Sequence, residues 1–175
     1  MTRMISHQHA ELRVATPTSE PYEWRHPGDR FGGKIMPNRG WRDMDCWLRA
    51  DLHSQAASLG AQRFKAVSLL AEVDKLLTRA SNGELSQTFP DDVAPSSPKD
   101  SGRTALIPDI MFLRVPEPFY LAAHRCRIRV YYVEPDATRL LVSLGGLVKD
   151  VDTTTSDEQN TFIRQCDARK ETILR

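Results

Sequence analysis

The run RCRIRVYYV at residues 125–133 constrains the fold more than any other, because its first six residues alternate strictly between an arginine and an apolar side chain. Successive side chains of a strand point to opposite faces of the sheet. The alternation therefore places Arg125, Arg127, Arg129 and Tyr131 on one face, opposite a face of apolar groups. A row of guanidinium groups predicts an anion site, and phosphate oxygens match the planar guanidinium fork in a two-bond geometry.

Two further runs have the character of strands and frame this one. Residues 110–115 (IMFLRV) precede it, and residues 139–144 follow a turn at 134–138, so the sequence predicts an antiparallel meander. The glycines at 145–146 permit a bulge or a close approach of the backbone, after which residues 147–149 continue the edge.

Helical spacing of apolar residues occurs on both sides of the strand region. Residues 41–59 and about 61–80 predict two amphipathic helices in a hairpin, the first ending at Gly60 and the second at 82–83. The residues expected on the inner face of the second helix are Phe64, Val67, Leu70, Ala71 and Leu77, widened by Leu69, Val73 and Leu76. Thr155 and Glu158 form a capping-box pattern that predicts a final helix. The expected fold class is α+β, a helical hairpin packed on one face of a small antiparallel sheet with a C-terminal helix, which leaves the other face free to bind.

Two segments lack sustained periodicity. Residues 1–40 predict an irregular N-terminal arm with one short strand near 11–16, and residues 41–175 predict the folded domain. Within that domain residues 89–102, FPDDVAPSSPKDSG, can bury almost nothing and predict an exposed, mobile loop.

Composition excludes several classes of protein. Lys and Arg total 24 against 23 Asp and Glu, which argues against a nonspecific DNA-coating protein. The three cysteines are widely separated, as expected of buried reduced thiols and not of a disulfide framework. The pair His7 and His9 has no third ligand in view, so no metal or other cofactor is expected. No apolar run is long enough to span a bilayer, and a cytoplasmic protein without a membrane partner is the expectation.

The order of these segments resembles the RelE/HigB-type toxins of bacterial toxin–antitoxin systems, including the phage-derived HigB-like branch. The matching segments are IMFLRV, RIRVYYVEPDATRLLVSLGGLVKD and TTTSDEQNTFIRQCDARK, which follow the helical hairpin. The resemblance implies a RelE-like fold and an endoribonuclease that cuts mRNA, usually on the ribosome, and is inhibited by a cognate antitoxin. It also implies metal-independent cleavage, in which a ribose 2′-hydroxyl attacks the adjacent phosphate.

The resemblance assigns roles to individual positions. Arg114 and Arg129 match the basic strand positions of the family and would stabilise the charge of the pentacoordinate phosphate. Lys149 matches the basic position after the glycines and would stabilise charge or, if neighbouring cations lowered its pKa, take the proton. Secondary candidates for RNA contact, base stacking and proton transfer are Arg125, Arg127, Tyr131 and His124.

A noncatalytic RNA- or protein-binding module of the same fold is the alternative hypothesis. Asp150 directly follows Lys149, and a carboxylate beside a phosphate site would repel the substrate. Alternating arginines can also form only the solvated face of a half-covered sheet, and a strand-end lysine can protect an edge from aggregation.

Overall fold

The computed structural model describes residues 12–26, 41, 46–86, 93–95 (backbone only), 109–136 and 138–173. These residues form a 3-10 helix, three α-helices and six strands, which confirms the α+β class. In chain order the elements are the 3-10 helix Arg13–Ala15, β1 (Glu23–Arg25), α1 (Trp47–Ser58), α2 (Arg63–Ser81), β2 (Val93–Pro95), β3 (Met111–Arg114), β4 (Phe119–Leu121), β5 (His124–Val133), β6 (Leu140–Asp150) and α3 (Ser156–Ile173).

The strands form one mixed sheet. Its order is β1-β6-β5-β3-β2, and β4 pairs with the first part of β5. The predicted strands β3, β5 and β6 pair antiparallel as expected, whereas β1 runs parallel to β6. The register shifts between Tyr131 and Tyr132, which makes Leu144 an extra residue of β6 beside Gly145. The glycine pair therefore adjoins a bulge, and β6 continues through it to Asp150.

Helices cover both faces of the sheet, so the expectation that they share one face is wrong. A Cβ added at Gly146 would lie 2.7 Å from Cδ2 of Leu52 in α1. A Cβ added at the preceding residue, Gly145, would lie 3.0 Å from Phe162 in α3. Because adjacent strand residues point to opposite faces, α1 and α3 lie on opposite sides of β6. Two apolar clusters result, a larger one with α1 and α2 and a smaller one with α3.

Both helices of the hairpin end close to where the sequence predicted, but α1 begins at Trp47, after an extended Cys46, and not at residue 41. Helix α1 ends at Ser58, and Gly60 adopts a positive φ of 79°, the backbone conformation that favours glycine after a helix. In α2, however, Phe64 is 59% exposed and Val67 is 55% exposed, contrary to the prediction that they line the core. Ala71 is exposed as well. The buried face of α2 is formed by Ala66, Leu69, Leu70, Val73, Leu76, Leu77 and Ala80.

The described part of the N-terminal arm, residues 12–26, is integral to the domain and not an irregular appendage. Residues 13–15 form a 3-10 helix where a strand was expected, and the strand of this region is β1. The buried carboxylate of Glu134 accepts hydrogen bonds from the backbone N–H groups of Arg13 and Val14. The indole N–H of Trp24 donates to the carbonyl of Leu77, which joins β1 to α2.

The predicted loop at 89–102 lies outside the described residues, apart from β2. Residues 93–95 pair antiparallel with β3, so this segment contains a short strand that its composition did not indicate. His7 and His9 also lie outside the described residues. Cys46, Cys126 and Cys166 are buried free thiols, as predicted. Among the described helices, none is both long and apolar enough to cross a membrane.

Candidate functional site

Strand pairing brings the predicted basic residues together on the face of the sheet that carries α3. Arg114 of β3 lies directly opposite Arg129 of β5, and Arg127 lies directly opposite Lys149 of β6. These four residues share one face because they occupy paired or alternate positions of adjacent strands. We call them the basic cluster. Each of the four is partly buried.

Arg129 lies at the centre of the basic cluster and is held by aromatic packing. Its guanidinium carbon lies 4.4 Å from the centroid of the Phe112 ring, within the range of a cation–π contact. Its Nε is buried and makes no hydrogen bond to any residue that the structure describes. A buried N–H donor without a partner is uncommon and is satisfied when a ligand oxygen reaches it.

Tyr131 is the next residue on this face and is fully buried. Its ring packs between Phe112 and Phe162, with centroid distances of 5.9 and 5.4 Å. Burial raises the pKa of its hydroxyl, and the nearby charge of Arg129 opposes that rise. The hydroxyl makes no hydrogen bond of normal geometry within the described residues. A nucleobase therefore has no access to the Tyr131 ring in this structure. Tyr131 does not occupy the base-stacking position that was expected of it.

Lys149 lies between the sheet and α3. Its Nζ donates a hydrogen bond to Oε1 of Gln159 at 3.2 Å. Burial, and then the charge of Arg129, lower the pKa of Lys149. Both causes disfavour the protonated amine, so Lys149 loses its proton more readily than a solvated lysine does. The resemblance assigned Lys149 a proton-accepting role on the condition that neighbouring cations lower its pKa; Arg129 does so here, but burial is the larger cause.

Among the residues that the structure describes, no carboxylate pairs with three of the four members of the basic cluster. Arg127, Arg129 and Lys149 form no ion pair with a described residue. Arg127 instead donates through Nη1 to the carbonyl of Pro116 at 2.8 Å. Cations held close together without counter-ions repel one another, so this face of the sheet favours a bound anion.

Asp150 does not belong to the basic cluster. It is paired in register with Cys126 on the opposite face of the sheet, where it is 4% exposed. Its Oδ2 lies 2.7 Å from Nδ1 of His124. The backbone N–H of Asp152, and then His124, hold the pKa of Asp150 below its ordinary value. The acidic side chain expected to repel a phosphate is therefore turned away from the cluster.

The remaining predicted site residues divide between the two faces. His124 accompanies Asp150 on the face opposite the basic cluster, so it is not placed to transfer a proton there. Arg125 is exposed near the start of β5, where its register partner is Tyr120. It extends the arginine row away from Arg129 and remains available for phosphate contact.

Sequence reasoning missed the residues that complete the site. Phe112 supports Arg129, Gln159 holds Lys149, and Phe162 packs on Tyr131. Two of these belong to α3, which was expected on the other face of the sheet. Phe162 recurs at helical spacing with Ile163, Cys166 and Ile173, a pattern that predicts an inward-facing side but not which face of the sheet the helix covers.

Comparison with known proteins gave no match: no protein-family model, curated protein or solved structure is significantly similar to this chain. The resemblance to RelE/HigB-type toxins consequently depends on the three quoted segments. The interpretation of the site depends on the geometry of the basic cluster.

Proposed function

We propose that this protein is a metal-independent endoribonuclease whose basic cluster binds the scissile phosphate of mRNA. The observation that carries the proposal is the grouping of Arg114, Arg127, Arg129 and Lys149 on one face, with no ion pair from the described residues at the last three. A phosphodiester supplies the missing negative charge, and its oxygens suit the buried Nε donor of Arg129.

The reaction that fits this site is transfer of the phosphate to the neighbouring ribose hydroxyl. The 2′-oxygen attacks phosphorus as its proton leaves, and the bond from phosphorus to the 5′-oxygen of the next nucleotide breaks. The products are a 2′,3′-cyclic phosphate and a 5′-hydroxyl, so atoms and charge balance without an external reactant. Arg114 and Arg129 stabilise the charge that develops on the pentacoordinate phosphate, an effect typically worth about 10²–10³-fold in rate per donor.

Lys149 is the residue best suited to accept the 2′-hydroxyl proton. Burial and the charge of Arg129 favour its neutral form, which can act as a base. Gln159 positions its Nζ through the hydrogen bond at 3.2 Å. His124 lies on the opposite face of the sheet, so the leaving 5′-oxygen takes a proton from water, and the hydroxide left behind recovers the proton that Lys149 accepted.

The biological role that the resemblance implies is that of a toxin in a toxin–antitoxin system. We infer a cognate antitoxin as protein partner, mRNA, on or off the ribosome, as substrate, and the cytoplasm as location. The chain's formal net charge of +1 means that RNA affinity comes from the local cluster and not from bulk charge.

A noncatalytic RNA- or protein-binding module of the same fold is the second candidate. One contact favours it: Arg127 donates to the carbonyl of Pro116, so one member of the basic cluster supports the β3–β4 connection. In that case the basic cluster holds an RNA backbone or an acidic protein segment without cleaving anything.

Induced expression tests the two candidates against each other. Wild type is compared with Arg129→Ala and Lys149→Ala for growth arrest and for shortening of transcripts. The nuclease proposal predicts that wild type arrests growth and shortens transcripts, and that both variants are folded and do neither. A wild type that shortens no transcript and does not cleave RNA in vitro contradicts it. Variants that remain fully toxic contradict the residue assignment.

Control variants distinguish the loss of a residue of the basic cluster from the loss of any positive charge on the surface. Arg63→Ala and Lys75→Ala remove exposed cations of α2, one of each type, and should leave toxicity unchanged. Purified wild type should cleave an RNA oligonucleotide in the presence of EDTA and leave its 2′-deoxy analogue intact. A catalytically dead protein that still binds RNA would support the binding module instead.

A further inference from the structure

An open cavity on the α3 side of the sheet is lined by Leu147, the register partner of Arg129. It has a volume of about 340 Å³ and lies between Leu147 of β6 and the first turns of α3. Leu147 and Phe162 supply apolar surface. The polar groups of the lining belong to Thr154, Asp157, Glu158, Thr161 and Gln165. The volume exceeds that of a nucleobase, so the cavity can hold one flat heterocycle together with water.

The position of the cavity relates it to the proposed phosphate site. Leu147 is the register partner of Arg129 and precedes Lys149 by two residues on the same face of β6. Positions two apart on a strand are separated by roughly 6.5–7 Å. This spacing is close to that between a phosphate and the base of its own nucleotide. A nucleotide whose phosphate lies on the basic cluster can therefore place its base in the cavity.

The carboxylates of the lining bear on which base the cavity would accept. An ionised carboxylate only accepts hydrogen bonds, so it favours a base edge that presents donors. Guanine presents two adjacent donors, N1–H and N2–H, which a carboxylate can accept in a paired geometry. Adenine and cytosine each present one amino donor beside an acceptor, and uracil presents one donor between two acceptors.

Asp157 is the carboxylate that offers both of its oxygens for this contact, whereas Glu158 uses its Oε2 in the capping box. Glu158 accepts hydrogen bonds from the backbone N–H and the hydroxyl of Thr155 in the capping box. Asp157 makes no hydrogen bond or ion pair with the rest of the described chain. Phe162 and Leu147 would contact the faces or edges of the inserted ring.

We propose that this cavity binds a guanine base, read by Asp157, when the phosphate of the same nucleotide lies on the basic cluster. The inference deepens the proposed function and rests on it, because it takes RNA as the ligand. Asp157 is then a specificity-determining residue and Phe162 an apolar wall of the base site.

Binding of the four nucleoside 3′,5′-bisphosphates to the full chain tests the inference. These probes carry phosphates on both sides of the ribose and so do not presuppose a strand direction. The guanosine probe should bind at least tenfold more tightly than the uridine probe. Asp157→Asn should weaken guanosine binding at least fivefold and leave uridine binding within twofold. Glu171→Gln, an exposed carboxylate further along α3, serves as the matched control and should change neither.

Several outcomes would overturn the base site. These are equal binding of all four probes, no binding of any probe, or an equal loss of all four in Asp157→Asn. Cleavage of mixed-sequence RNA is measured separately, so the two proposals can fail independently. Cleavage without guanine-selective binding leaves the nuclease and removes the base site. Guanine-selective binding without cleavage supports the base site and contradicts the nuclease.

Discussion

Lys149 and Asp150 are adjacent in the chain, yet their side chains lie on opposite faces of the sheet. Lys149 joins the α3 face through Gln159, and Asp150 bonds to His124 on the other face. A strand can therefore carry a cation and a carboxylate at consecutive positions that contact different partners, because the two side chains point to opposite faces of the sheet.

Asp150→Asn should lower stability and leave RNA affinity within twofold of wild type. The substitution removes the charge that His124 and the Asp152 N–H stabilise, so the melting temperature should fall by a few degrees. Because the pKa of Asp150 is lowered by folding, this difference should exist above pH 4 and fade as the carboxylate becomes protonated at lower pH. Thermal unfolding at several pH values and RNA binding measure the two effects.

Asp152→Asn changes an exposed carboxylate of the same segment and is the matched control for that experiment. A tenfold gain in RNA affinity for Asp150→Asn would show that the carboxylate acts on the basic cluster through the sheet. That result would contradict the separation of the two faces.

Lys149→Arg should retain RNA binding and lose at least 100-fold in cleavage rate. Arginine keeps the charge but does not give up its proton, so a role in charge stabilisation would survive the change and a role as base would not. In wild type the rate should rise with pH and level off below the ordinary lysine pKa of 10.5, because burial and Arg129 lower the pKa of Lys149. Single-turnover cleavage across pH measures this, and full activity in Lys149→Arg would exclude the base role.

Local patterns predicted the parts of the structure that depend on neighbouring residues. The alternation in β5 placed Arg127 and Arg129 on one face, and the Thr155–Glu158 capping box is present with both of its reciprocal hydrogen bonds. Register between β3, β5 and β6 then assembled the basic cluster. Each of these features is fixed by side-chain period, capping or a short connection.

The parts that were missed depend on contacts between distant segments. The amphipathic pattern of α3 does not state which face of the sheet it covers, so the partners Gln159 and Phe162 could not be foreseen. Strand β1 has only three residues, which is too short a run to show alternation. Its parallel pairing with β6 joins segments that are far apart in the chain. Phe64 has the spacing of a core residue on a helix, but it is exposed because the adjacent face of α2, which carries Ala66 and Leu69, packs inward.

Gln55→Ala should destabilise the fold by about 1–3 kcal/mol, because it removes the side chain that covers the edge of β6. The Gln55 amide donates to the carbonyl of Gly146 at 2.7 Å and accepts from the N–H of Val148 at 2.8 Å. β1 pairs only with residues 140–142, so this glutamine replaces a neighbouring strand further along β6. Denaturant unfolding measures the loss. Gln62→Ala, at an exposed position, should cost much less, and equal losses would contradict the bridging role.

Acidification should destabilise the protein through His26, a buried residue whose Nδ1 lies 2.9 Å from Oγ of Ser143. Burial lowers the pKa of His26 from 6.5 to about 4. Between these values the unfolded chain binds a proton that the folded chain excludes, so stability falls as pH drops below 6.5 and the effect is complete near pH 4. Each pKa unit is worth about 1.4 kcal/mol, so the stability lost through His26 over this pH range is about 3 kcal/mol.

His26→Gln keeps a hydrogen-bonding group at this position but does not titrate. The raised pKa of Glu134 affects stability with the opposite sign, and it does so equally because Glu134 is present in both proteins. Urea unfolding at pH 7, 5.5 and 4 should show wild type losing stability relative to His26→Gln as the pH falls; parallel losses in the two proteins would assign the acid sensitivity to other groups.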